Sequence, residues 1–210
     1  MLTIQGLSYA YSDRFLFKNL SFDLIPGELI QLKGRNGSGK TTLIKVLCGI
    51  LKNYEGSISF DNNVDSEDRN EIFYLGHKNA LKDNLTVLEN LKYDYRCDGI
   101  ELTKLKENLA TLGLENYLFS KVSDLSEGQK RKIILSCFMA SNKSIYLLDE
   151  PLINLDEESK KIVSSEIENK INGGSSIVFT SHEKNILATK DINLDAVSYT
   201  HLTLPTKPKV

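Results

Sequence analysis

The octapeptide GRNGSGKT, Gly34 to Thr41, fits the pattern G-x-x-x-x-G-K-[ST]. The chemistry it suits is phosphate binding. Small residues let the backbone N–H groups of Gly34, Arg35, Asn36, Gly37, Ser38 and Gly39 turn inward around phosphate oxygens, and a helix starting at Lys40 adds partial positive charge at its N-terminus. Lys40 is placed to reach the β- and γ-phosphates. Thr41 would ligate Mg²⁺, with Thr42 beside it.

A second constellation is SIYLLDEP, Ser144 to Pro151, an apolar run that ends in two acids. Carboxylates at the C-terminal edge of a buried strand stand where open α/β sheets bind ligands. Asp149 suits Mg²⁺, and Glu150 suits a general base that polarises attacking water. A third is LSEGQ, Leu125 to Gln129. Ser126 followed by Gln129 reads as a capping box, and the same serine hydroxyl, the Gly128 backbone and the helix start also form a receiver for a γ-phosphate.

These residues need a scaffold, and the chain supplies an α/β one. Short apolar runs bounded by glycine and polar clusters predict strands at Leu2–Ser8, Leu20–Leu24, Glu28–Lys33, Gly56–Phe60, Ile72–Leu75, Ser144–Leu148 and Ser176–Thr180, in a largely parallel sheet. Helices are predicted from Lys40 to Cys48, from Thr86 (a capping box with Glu89), from Glu101 to Leu112, from Glu127 to about Ala140, and from Asp156 to Asn172 before Gly173 and Gly174. The phosphate loop thus lies between a strand and a helix.

Length and composition narrow the class. The 210 residues suffice for one domain with a subdomain, and 40% hydrophobic with 26% charged residues is ordinary for a globular fold. A net charge of −2 lacks the basic field of a nucleic-acid binder, and the runs Lys104/Lys106 and Lys130–Lys132 read as solvated faces. Cys48, Cys97 and Cys137 are far apart without a CxxC, which predicts reduced thiols and neither a metal site nor a disulfide. The opening MLTIQGLSYAY has no signal-peptide pattern, and the longest apolar-rich run, Ile133–Ala140, is far short of the roughly 20 residues that span a bilayer. Any membrane role would come through a partner.

The phosphate loop, then LSEGQ, then a strand ending in Asp149–Glu150, then Thr180–His182 (TSH) resembles an ABC-type ATPase, from Leu2 to about Leu194. The resemblance implies a P-loop fold with a RecA-like parallel core, an N-terminal antiparallel β-subdomain and an inserted helical subdomain at about residues 78–140. It also implies that Tyr11 stacks on adenine, that Asp156 in EPLINLD aligns two sites across a dimer, and that His182 contacts the γ-phosphate and orients Glu150. In that family two copies pack head to tail, with ATP between the phosphate loop of one and the LSxGQ of the other. One chain alone would hold two half-sites.

Where most of the family has a glutamine after the strand that here reads EIFYLG, this chain has His77. YLGHKNALK is similar to the G-H-x-N-A-x-K stretch of the haem-exporter ATPases of cytochrome c maturation, the CcmA family. That likeness implies a homodimer on the cytoplasmic face of the bacterial inner membrane, bound to CcmB-like permease subunits in a CcmC-containing assembly. Its ATP hydrolysis would drive release of a haem-loaded chaperone, with no haem bound directly. Neutral imidazole can hydrogen-bond a Mg²⁺-bound water although Mg²⁺ prefers oxygen ligands, so an outer-shell or coupling role is expected of His77.

Val197–Thr206, VSYTHLTLPT, alternates like an edge strand. The same ten residues are what a tagmentation sequencing adapter would encode. The expectation is one ABC ATPase domain over 1–196 whose final strand lies near Ile192–Leu194, and a non-native tail over 197–210. Three other readings are weighed. Another small ABC exporter would differ in the membrane protein it binds. A soluble ABC ATPase of DNA repair or translation expects a long coiled coil or tandem domains, which this sequence lacks. A P-loop kinase or GTPase leaves LSEGQ and His182 unexplained.

Overall fold

The computed structural model describes residues 1–12, 14–60, 63–64, 71–181 and 186–195, with residues 63 and 64 described by backbone alone. His182 and the segment from Ala196 onward, including the expected non-native tail, lie outside the described residues.

Leu2, Ile4 and Leu7 are buried along β1 (Leu2–Tyr11), the middle of an antiparallel sheet. It pairs with β2 (Arg14–Leu24) and, on its other side, with β4 (Glu55–Phe60), which carries the short β5 (Asn63–Val64) at the edge. Leu2 faces Leu24 and Phe60, and Ile4 faces Phe22 and Ile58. Gly56 has φ +96°, and a Cβ there would stand 2.6 Å from the Gln5 carbonyl oxygen, so the β1–β4 crossing requires glycine. β1 and β2 run longer than their sequence pattern indicates, because register shifts after Ile4, Leu7 and Tyr9 and a left-handed Asn19 (φ 54°) break the two-residue period.

The second sheet is parallel, in the order β6 (Ile72–Leu75), β7 (Ile145–Asp149), β8 (Ser176–Thr180), β3 (Leu29–Lys33), β9 (Lys190–Asn193). Every position of β7 and β8 is buried, as expected of strands covered on both faces. Thr180 pairs with both Asp149 and Leu32. That register aligns the C-terminal ends of β3, β7 and β8, so the loop after β3 and the acids ending β7 share one sheet edge. β9 ends at Asn193, and a helical turn at Leu194 and Asp195 follows it.

α1 (Lys40–Leu47) packs between the two sheets, with Leu43, Ile44, Val46 and Leu47 buried beside Leu2, Leu24, Ile30 and Leu147. The segment between β6 and β7 carries α2 (Val87–Tyr93), α3 (Leu102–Thr111) and α4 (Glu127–Ala140). Thr86 caps α2 with the capping box its sequence foretells. α5 (Glu157–Asn172) is capped by Asp156 and covers the sheet on the side of α4. Phe73, Phe138 and Tyr146 meet there, with Phe138 and Tyr146 edge to face at 5.3 Å between centroids.

Two expectations are corrected. Cys97 and Cys137 are joined as a disulfide with their Cα atoms 5.6 Å apart, because the turn after α2 lays Cys97 on the buried face of α4; Cys48 alone is a free cysteine. Lys130–Lys132 is not a solvated face. α4 is buried through most of its length, and Arg131 is 1% exposed. Lys104 likewise does not simply face water, since its ammonium donates to the Ala140 carbonyl at 2.8 Å. Among the described residues, no helix is long and apolar enough to cross a membrane.

Candidate active site

The cleft at the C-terminal edge of the parallel sheet encloses about 590 Å³ and is lined by Asn36, Gly37, Gly39, Lys40, Thr41 and Thr42 from the loop and α1, by Asp149, Glu150 and Ile153 after β7, and by Leu16 and His77. Gly37 (φ 81°) and Gly39 (φ 97°) turn the loop through conformations that side-chain-bearing residues avoid, and a Cβ at Gly37 would meet only open space. Gly34 has no such room, because a Cβ there would stand 2.4 Å from Ser38 Oγ. Lys40 Nζ donates to the carbonyls of Gly34 (2.7 Å) and Arg35 (3.1 Å), closing the loop over itself. The Arg35 N–H donates to Asp195 Oδ2 at 2.9 Å, tying the loop to the turn after β9.

Beneath the loop runs a chain of hydroxyls and acids. Thr41 Oγ1 donates to Asp149 Oδ2 at 2.8 Å, and Thr180 Oγ1 donates to Asp149 Oδ1 at 2.7 Å. Asp149 is 2% exposed, so these two bonds offset part of the cost of burying its carboxylate. Thr180 Oγ1 also accepts from the Glu150 N–H at 2.9 Å. Glu150 has φ +52°, a left-handed backbone that costs a non-glycine residue on the order of 1 kcal/mol. The turn ends the strand abruptly and aims Glu150 into the cleft.

Thr41 and Asp149 are the residues that could hold a hard cation. A threonine hydroxyl and a carboxylate already in contact form an oxygen-only donor set of the type Mg²⁺ takes. Ser38 Oγ, in the same loop, is buried without a hydrogen-bond partner.

Other residues singled out in the sequence stand apart from this cleft. Tyr11 is 74% exposed near the β1–β2 turn and is not among the lining residues, whereas Leu16 is. Ser126 and Gln129 form a reciprocal capping box (Gln129 N–H to Ser126 Oγ 3.2 Å, Ser126 N–H to Gln129 Oε1 2.9 Å) at the start of α4, outside the cleft. A Cβ on Gly128 would stand 2.5 Å from the Asn154 carbonyl oxygen. The loop after Glu150 therefore presses on the LSEGQ turn, which only glycine permits. Asp156 caps α5 through Ser159 and pairs with Lys132 at 2.6 Å; Lys132 and the Ser159 N–H hold its carboxyl far below the usual carboxylate range.

Thr180, which opens the TSH stretch, is the hydroxyl that joins Asp149 to the Glu150 backbone. One participant escapes a reading by motif. Arg131 donates to Gly76 O (2.7 Å), Asn79 Oδ1 (3.3 Å), Asp149 O (2.7 Å) and Glu150 O (2.7 Å). One signal was available: Arg131 lies four residues before Leu135 and seven before Phe138, on the buried stripe of α4.

Comparison with known proteins agrees with this architecture. Residues 17–153 match the family described as ABC transporter. The cytochrome c biogenesis ATP-binding export protein CcmA of Vibrio vulnificus (strain YJ016) is 32% identical over 87% of this chain and 92% of its own length. The CcmA protein of Nitrosospira multiformis is 35% identical over 88% and 93%. Among solved structures, an ABC transporter ATP-binding protein from Pyrococcus furiosus superposes with a TM-score of 0.80 at 26% identity, covering 94% of this chain and 98% of that one. A bacterial ABC transporter cassette solved as a dimer shares the fold, with a TM-score of 0.78 at 23% identity over 92% and 94%. With the phosphate loop over Asp149 and Glu150 and LSEGQ at the head of α4, the chain belongs to the ABC transporter family as an ATP-binding protein, with the CcmA proteins among its relatives.

Proposed function

We propose that this chain is the ATP-hydrolysing subunit of a transporter that serves cytochrome c maturation. ATP binding and hydrolysis coupled to transport belong to the family. The observation that carries the catalytic assignment is the hydrogen-bonded run Thr41–Asp149–Thr180–Glu150 directly beneath the phosphate loop.

In this reading the loop amides from Gly34 to Gly39 cradle the phosphates, and Lys40 leaves its carbonyl partners to reach the β- and γ-phosphates. Thr41 and Asp149 would hold Mg²⁺, which draws charge off the phosphate oxygens as the bond to the γ-phosphate breaks. Glu150 accepts a proton from the attacking water, and Thr180 and Arg131 fix the backbone from which it acts. Tyr11 would fold over the adenine. His182 is proposed as the γ-phosphate contact on its sequence position alone.

Ser126, Gly128 and Gln129 sit outside their own chain's cleft, which supports a head-to-tail dimer in which they close over the nucleotide of a second copy, with Asp156 near the seam. Membrane partners are proposed as CcmB-like permease subunits with a CcmC-like assembly, the chain lying peripherally on the cytoplasmic face of the bacterial inner membrane. In domain terms, residues 1–196 are taken as one ABC ATPase domain with a helical subdomain over about 78–140, and 197–210 as a non-native tail. The CcmA names and the G-H-x-N-A-x-K match over Gly76–Lys82 support the haem assignment.

The test of the pathway is genetic. Deleting the gene is expected to abolish covalent haem staining of c-type cytochromes while b-type spectra persist, and unaltered staining would refute the assignment. His77, exposed at the cleft wall, is proposed to sense the nucleotide or couple it to the membrane partner. His77→Ala is expected to lower partner-stimulated hydrolysis about 10-fold, less than the roughly 10²-fold of a direct acid–base contact, with nucleotide affinity nearly intact. Unchanged stimulated turnover in reconstituted vesicles would remove His77 from that role.

A further inference from the structure

Arg131 is the largest fully buried side chain of the described residues. Its four bonds all go to neutral oxygens, on two separate segments: Gly76 O and Asn79 Oδ1 in the loop carrying His77, and Asp149 O and Glu150 O at the turn carrying the acids. Taking a cation out of water is costly, and bonds to neutral oxygens offset only part of that cost. Burial pushes its pKa down to about 10, with Asp149 opposing that shift, so the guanidinium keeps its charge at neutral pH.

What the guanidinium gives in return is geometry. Nη1 serves Gly76 and Asn79 while Nη2 serves Asp149 and Glu150, and the planar fork fixes the spacing of the two segments. Glu150 holds a left-handed backbone that surrounding groups must maintain, and its carbonyl is one of those gripped. The Asn79 backbone carbonyl, a different oxygen from the Oδ1 held by Arg131, accepts from Arg96 at 3.3 Å, itself braced on Asp94. Arg131 rides on α4, the helix that Ser126 caps.

We propose that Arg131 is a positioning residue for ATP hydrolysis: it locks the Glu150 turn to the His77 loop, and it carries movement of the LSEGQ helix to the base in the same chain's cleft. This rests on the reading of Glu150 as general base. A second copy's nucleotide pressing on the start of α4 would then reset the geometry of Glu150 across the body of the protein.

The test is steady-state ATP turnover of Arg131→Lys, Arg131→Met and Glu150→Gln against the parent protein, with thermal melts to establish folding. A lysine cannot grip both segments at fixed spacing. Arg131→Lys is expected to lower kcat about 30- to 100-fold with KM within about 3-fold, the signature of misplaced groups rather than lost binding. A parental kcat, or a loss carried by KM, overturns the proposal. If neither Arg131 variant folds, Asn79→Ala decides: it removes one acceptor, and a kcat about 3-fold lower at constant KM is expected, an unchanged kcat overturning the idea. Glu150→Gln separates the premises. If it turns over normally, the base reading fails; if it is inactive while Arg131→Lys is normal, only the Arg131 inference fails.

Discussion

Glu150→Gln is expected to bind ATP as the parent does and to hydrolyse it about 10³-fold more slowly, a rise of about 4 kcal/mol in the barrier. The amide has the same shape as the carboxylate, and the bonds with Thr180 and Arg131 act on the backbone. The N–H still donates to Thr180 and the carbonyl still accepts from Arg131, so the left-handed turn survives. What is lost is an atom able to take a proton from water. Binding without turnover should leave ATP locked between two copies, so gel filtration with MgATP should show a dimer that the parent forms only transiently. Parental single-turnover rates would remove Glu150 as the base.

The second large effect is expected from a single methyl group. In Gly128→Ala the new Cβ would lie 2.5 Å from the Asn154 carbonyl oxygen, a distance that forces main chain against main chain. Either the start of α4 or the loop after Glu150 must move. Asn154 has little freedom to yield, being itself in the left-handed region at φ 62°. Overpacking of this kind costs about 1–3 kcal/mol of stability. In the proposed head-to-tail dimer the larger consequence is functional, because the displaced Ser126 turn would no longer fit a second copy's phosphate. Turnover should fall about 10²-fold. Nucleotide binding to the chain's own loop, some distance from the change, should hold. The sharper readout is Gly128→Ala placed in the Glu150→Gln background, where the ATP-locked dimer should no longer form. A dimer as abundant as in Glu150→Gln alone would show that Gly128 is there for packing only.

Much of this site is local in sequence, which is why it can be read. GRNGSGKT must lie between a strand and a helix to work at all, and it lies between β3 and α1. Asp149 and Glu150 end an unbroken apolar run, and that run is β7. Ser126 and Gln129 are three apart and cap α4 as that spacing dictates. What escapes such reading is whatever depends on contacts across the fold. The strands of the β1–β2 hairpin are extended past their apparent ends by partners, not by their own alternation. Cys97 and Cys137 are brought together by helix packing that no spacing between them announces. Arg131 stands between two lysines, so it reads as one of a basic run, but those lysines pair with acids: Lys130 with Asp83 and Glu127, and Lys132 with Asp156. Only the carbonyls of two distant loops show why the middle residue turns inward.

The place of β3 in its sheet has a consequence for how the protein comes into being. The strand that launches the phosphate loop has β8 and β9 as its two neighbours, and both are made from residues from Ser176 onward. A nascent chain that has left the ribosome only as far as Asn172 can fold its N-terminal antiparallel hairpin, yet it holds no partner for Leu29–Lys33. Parallel pairing across some 150 residues also carries the loop-closure cost that slows folding. The nucleotide cradle, whose loop lies at Gly34 to Thr41, therefore waits on strands made some 140 residues later. A chain not yet made through β9 has the phosphate motif without the sheet edge that shapes it, and so cannot commit ATP.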